Sequence, residues 1–171
     1  MNKVNTKPLP NILTGRWLSE TPVDIAKALA GKGDMLIRLQ RSEEAITVFN
    51  EVVKRYGDAP EAALRDVVAR AMFGKGVTLD RLQRGEEAIA VFDEVVKRYG
   101  NAPEAALHDV VAKAMFGKGY MLIQLQRSEE AIATLNEVVN RYGDAPEAAL
   151  RDVVARAMFV KGAVLNQLNR S

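Results

Sequence analysis

From about residue 22 onward, longer and shorter segments alternate along the chain, and in each segment apolar residues recur at every third or fourth position. One longer segment runs from Glu61 to Leu82, with apolar residues at Leu64, Val68, Ala71, Met72, Leu79 and Leu82. The shorter segment runs from about Glu86 to Tyr99, with Ala88, Ile89, Phe92, Val95 and Val96 in register. This spacing places apolar side chains on one face of an α-helix. The sequence therefore predicts helix pairs, roughly 33 Å and 20 Å long at 1.5 Å per residue.

Local signals predict where these helices begin and end. Asp58 followed by Glu61 resembles a capping box, with Pro60 in the first turn of the longer helix. The expected caps of the shorter helices are Ser42, Gly85 and Ser128. Paired glutamates follow each of these caps, and their negative charges interact favourably with the positive end of the helix dipole. Glycines that would close the shorter helices in a left-handed conformation stand at Gly57, Gly100 and Gly143.

The helix pair is repeated. Glu43-Glu44-Ala45-Ile46 returns at 86–89 and at 129–132, each time 43 positions on, and segments 61–103 and 104–146 differ at only 12 of 43 positions. Equivalent units that stack on each other explain such repetition, because each unit then has the same environment. We expect hairpins at about 22–57, 58–100 and 101–143, then an unpaired final helix at 144–170. Residues 1–21 match no unit and are expected to form a leader or a cap that uses Trp17 and Leu18.

The repeated residues resemble the tetratricopeptide repeat. In that family a small residue of the first helix faces an alanine of the second helix and an aromatic residue four positions later, which Gly76, Ala88 and Phe92 match. The resemblance implies an all-α fold, a right-handed α-solenoid of antiparallel helix pairs. The 43-residue period exceeds the usual length of about 34 and indicates a long variant. The family usually has an apolar residue at the positions of Lys32, Lys75, Lys118 and Lys161. HEAT and armadillo repeats, which lack the glycine–alanine signature, rank second.

The same resemblance implies a concave groove lined by the first helices. Carried over position by position, the ligand-contacting residues include Lys27, Arg70, Phe73, Asp80, Arg81, Lys113, Phe116, Tyr120, Ile123, Gln124, Arg156 and Phe159. A basic residue recurs in every unit and phenylalanine in three. Units that are otherwise nearly identical differ at these groove positions; Asp80 of one unit, for example, is equivalent to Ile123 of the next. Two explanations stay open, a real ligand groove and simple drift of exposed positions, and the basic row also fits salt bridges to neighbouring carboxylates.

Composition narrows the class of protein. The chain has 48% apolar and 27% charged residues, as packed proteins do, so disorder is disfavoured. The formal net charge of +2 lacks the basic excess typical of nucleic-acid binders. There is no cysteine and hence no thiolate site or disulfide, which suits a cytoplasmic location. No apolar run approaches the roughly 20 residues that a membrane span needs.

Candidate chemistry is sparse. His108, the only histidine, replaces Arg65 and Arg151 of the sister units and is interpreted as a solvated surface residue. The glutamate pairs are explained by the helix dipole, and Gly74-Lys75-Gly76 lacks the spacing of a phosphate loop. We therefore expect no catalytic residue, no metal site and no cofactor.

Three functions stay open. The first is a non-enzymatic protein-interaction scaffold that binds a protein or peptide segment in the groove. The second is self-assembly into a homo-oligomer through the open final helix, by way of Met158, Val164, Leu165 and Leu168. The third and weakest is nucleic-acid binding along the basic row.

Overall fold

The structure, a computed structural model, describes residues 21–169 and contains seven α-helices and no strand in that range. The helices are α1 (Pro22–Arg38), α2 (Ser42–Tyr56), α3 (Ala62–Arg81), α4 (Gly85–Tyr99), α5 (Ala105–Gln124), α6 (Ser128–Tyr142) and α7 (Ala148–Leu168). Each helix packs on the next, and α1, α3, α5 and α7 also pack on one another in order. The predicted helical solenoid is confirmed. Trp17 and Leu18 lie outside the described residues.

Close packing between the two helices of a hairpin depends on one glycine. A Cβ atom added at Gly76 would lie 2.8 Å from Cζ of Phe92, and one added at Gly33 would lie 2.7 Å from Cζ of Phe49. Both rings are almost fully buried. Each ring also touches the next unit, since a Cβ atom at Gly117 would lie 3.0 Å from Phe92. One aromatic side chain therefore joins its own first helix to the following one, and successive units share a core.

The predicted helix starts are wrong in detail. The N-cap of α3 is Glu61, so Pro60 precedes the helix and Asp58 forms no capping box. Arginines, not the expected small residues, occupy the N-caps of the shorter helices: Arg41, Arg84 and Arg127. Their backbones are neither helical nor extended, and no side chain caps the helix, because a guanidinium has no acceptor for a backbone N–H. Each guanidinium binds the glutamate at the third helical position.

The left-handed residues also differ from the prediction. Gly57 caps α2 in a right-handed conformation, φ −60°, and a Cβ atom there would lie 2.5 Å from the Val53 carbonyl oxygen. The positive φ angles belong to the glutamines that follow the longer helices: Gln40, Gln83 and Gln126. At Gln83 the turn is a Schellman motif, because Gln83 N–H donates to Asp80 O and Arg84 N–H donates to Leu79 O.

Charged side chains connect neighbouring hairpins. Arg84 donates to Glu87 at 2.6 Å and to Glu43 of the preceding unit at 3.3 Å, and Arg127 repeats the arrangement one unit later. Of the lysines that depart from the family pattern, Lys118 acts similarly, since its Nζ lies 2.7 Å from the Asp93 carboxylate. Burial lowers the pKa of the equivalent Lys75. These contacts fix the register of neighbouring units, although each exposed pair contributes at most about 1 kcal/mol.

Candidate binding groove

A cavity of about 890 Å³ lies where α3, α5 and α7 pack side by side. Seven of the predicted groove residues line it: Phe73, Asp80, Lys113, Phe116, Tyr120, Arg156 and Phe159. They come together because a residue and its equivalents in the next units occupy the same face of consecutive first helices. Two of the cavity's large apolar side chains are well exposed, Phe159 at 78% and Tyr120 at 46%. The cavity is thus an apolar, aromatic groove open to solvent.

The other predicted residues lie beside this cavity. Lys27 and Arg70 line a second hollow of about 340 Å³ between α1 and α3, together with Ala30 and Asp34. Gln124 lines a third hollow of about 200 Å³ next to Asp80. Arg81, which is exposed, and Ile123, which is half-buried, line none of these three hollows.

Three basic side chains of the predicted groove are already paired with carboxylates of their own helices. Arg70 Nε lies 2.9 Å from Asp66 and Lys113 Nζ lies 2.7 Å from Asp109, each four residues earlier. Arg156 is 3.9 Å from Asp152, and its guanidinium carbon lies 4.7 Å from the centre of the Phe116 ring. The salt-bridge explanation therefore describes three of the four residues of the basic row, Arg70, Lys113 and Arg156. With these cations already paired, the groove offers mainly apolar area and polarised aromatic faces.

Six residues that line the cavity were missed in the sequence because they were assigned to the core or to no site: Phe92, Gly117, Met121, Val153, Ala155 and Val160. Phe92 of α4 reaches the floor of the cavity, with its ring centre 5.9 Å from that of Phe73. Val153 and Val160 line the wall on the α7 side. Val160 stands where Gly117 stands one unit earlier. The exchange of glycine for valine was the signal available in the sequence, because a glycine that recurs in the other units indicates a place where neighbouring groups approach the backbone closely.

The last helix presents a largely open face. Met158, Leu165 and Leu168 are exposed, at 50%, 40% and 43%. Val164 does not belong to this face: it is buried, because α7 packs on α5 and α6 along its inner side. The predicted self-association surface therefore loses Val164.

His108 is not the solvated residue that was expected. It is partly buried, and its Nε2 atom lies 2.8 Å from the Ala102 carbonyl oxygen, so it holds the loop between α4 and α5. Within residues 21–169 no group of three His, Cys, Asp or Glu side chains could hold a metal ion. No helix in the same range is long and apolar enough to cross a membrane.

Comparison with known families gives a consistent result along the chain. Three family models, each described as tetratricopeptide repeat, match residues 26–58, 61–103 and 113–145. No curated protein matches the chain. The three matched segments cover the hairpins α1–α2, α3–α4 and most of α5–α6.

Proposed function

Because the chain belongs to the tetratricopeptide repeat family, whose repeats are generally protein–protein interaction modules, we propose that it is a non-enzymatic scaffold that binds a peptide segment on its concave face. The observation that carries this proposal is the cavity of about 890 Å³ with three phenylalanines, one from each of α3, α5 and α7. A volume of this size is typical of a ligand site. We place the protein in the cytoplasm.

The bound segment contributes apolar side chains rather than carboxylates. Lys113 and Arg156 each face an aspartate of their own helix, so a ligand carboxylate would share each cation with an existing partner and gain less from it. Phe73, Phe116 and Phe159 have no such competitor and offer contact area for apolar groups. An extended or helical segment with apolar anchors therefore fits better than an acidic one.

Capture of partners from a lysate tests the groove. Phe116→Ala combined with Tyr120→Ala should abolish capture of any partner that the parent chain retains, because both side chains line the cavity. The matched control is Met35→Ala, which removes an exposed apolar side chain of α1 outside the cavity. Equal capture by the parent and the double variant, with both folded by circular dichroism, would contradict the proposal.

Self-association through α7 is a second candidate, favoured by the exposure of Met158, Leu165 and Leu168. It predicts a dimer in light scattering that dissociates when Leu165→Glu introduces a charge. Nucleic-acid binding remains the weakest candidate, since the basic side chains that would contact phosphates are paired with aspartates. It would require steep loss of binding with salt, in a heparin or oligonucleotide assay.

A further inference from the structure

The outer face of α7 contains a notch whose counterparts inside the stack are filled. Gly162 is equivalent to Gly76 and Gly119, at intervals of 43 residues. A Cβ atom at Gly119 would lie 2.9 Å from Cδ2 of Leu135, and one at Gly76 would overlap the Phe92 ring. At Gly162 the same atom would meet nothing within 4 Å. The notch that receives the second helix of a hairpin is therefore empty at α7.

Burial of the side chains beside the notch gives the same result. Met72 is 5% exposed and Leu79 is 1% exposed, because α4 covers them. The equivalent residues of α7 are Met158, 50% exposed, and Leu165, 40% exposed. The notch and these two side chains form one apolar strip along the helix, which we call the α7 strip. Its shape is that of a site for one helix.

We propose that the α7 strip binds a helix of a partner protein that carries alanine and, four residues later, a large apolar residue such as phenylalanine. The molecule itself shows which side chains fit. In α4, Ala88 is fully buried against α3 and Phe92 fills the notch at Gly76; Ala45 and Phe49 occupy the same places in α2. A helix of this pattern finds on α7 the same glycine, methionine and leucine that α4 finds on α3. The partner is therefore an amphipathic helix recognised through apolar contacts.

A second copy of the chain fits this strip less well. In a two-fold symmetric pair the α7 strip of one copy would face the α7 strip of the other. When the two-fold axis passes beside Gly162, the two notches face each other and neither receives a side chain. The helices that carry such an aromatic side chain, α2 and α4, are packed within their own copy.

A peptide with the sequence of α4, residues 85–99, is the direct probe. Labelled with fluorescein, it should bind the full chain saturably in an anisotropy titration. The peptide with Phe92→Ala should bind at least ~10-fold more weakly, because the aromatic group that fills the notch is lost. Gly162→Leu in the chain should weaken binding at least as much by occupying the notch. The neighbouring Ala163→Leu, also exposed, is the control and should leave binding unchanged.

Several outcomes would overturn the proposal. These are the absence of saturable peptide binding, equal binding by the Gly162→Leu chain, or a dimer in light scattering that the peptide fails to dissociate. The groove is tested separately, because Tyr120→Ala lies outside the α7 strip and should leave peptide binding intact. Failure of the groove proposal would therefore not affect this one.

Discussion

Alanine at Gly162 should stabilise the chain and alanine at Gly76 should not, although the two positions are equivalent in sequence. Both glycines lie inside helices, where replacement by alanine favours the helix by about 1 kcal/mol. At Gly162 the new methyl group meets nothing within 4 Å. The variant should therefore gain about 1 kcal/mol of unfolding free energy.

At Gly76 the methyl group collides with the ring of Phe92. Three ring atoms lie under 3.0 Å from the position of the added Cβ, and the ring is held between α3 and α5, so it cannot move away freely. Overpacking of this kind costs about 1–3 kcal/mol, which cancels or exceeds the gain in helix propensity. Gly76→Ala should therefore range from neutral to about 2 kcal/mol less stable than the parent.

The difference between the two variants isolates the packing effect, because helix propensity cancels. It should amount to about 1–3 kcal/mol, or about 2–12 °C in melting temperature for a chain of this size. Urea denaturation followed by far-ultraviolet circular dichroism measures it. If both alanines stabilised the chain equally, Phe92 would not occupy the notch at Gly76 and the described register of the hairpins would be wrong.

Other predictions concern the turns, the unit boundary and the ion pairs. Gln83→Gly should stabilise the chain by about 0.5–1 kcal/mol in thermal unfolding, because φ is 58° there, whereas Gln83→Ala should not. Leu135→Phe should destabilise the chain because Val160 takes the place that Gly117 offers to Phe92. Adding Val160→Gly should recover part of the loss, with a coupling free energy of about 0.5–3 kcal/mol in a double-mutant cycle. Hydrogen bonds from Arg127 lower the pKa of the Glu130 carboxyl below its ordinary 4.5. Its stabilising contribution is therefore complete above that pH and is lost as the pH falls through the folded-state pKa, so parent and Glu130→Gln should converge in stability in acid. A difference that grows in acid would contradict this.

Much of the arrangement of helices could be predicted from the sequence, because it depends on short-range patterns that are repeated along the chain. Apolar spacing located every helix from α1 to α7, and the match of Gly76 to Phe92 gave the packing between helices of a hairpin. The ion pairs of the groove could also be predicted from the sequence, since Asp66 and Arg70 lie four residues apart on one helix.

The details that were missed depend on contacts beyond a single helix. Arg84, not Gly85, is the N-cap of α4, and its guanidinium reaches Glu43 of the preceding unit, 41 residues away in sequence. Gln83 adopts the left-handed conformation although glutamine has no preference for it, because the short turn between α3 and α4 requires that geometry. The role of Phe92 in the floor of the groove follows from three helices meeting and not from its place in the repeat.

The nature of the groove is tested most directly by the salt dependence of partner binding. The dissociation constant of a captured partner segment should change little between low and high salt, because the groove cations are already paired. Phe116→Ala should weaken the same interaction at least ~10-fold by removing a buried apolar contact. Binding that falls steeply with salt and is unaffected by Phe116→Ala would contradict an apolar groove.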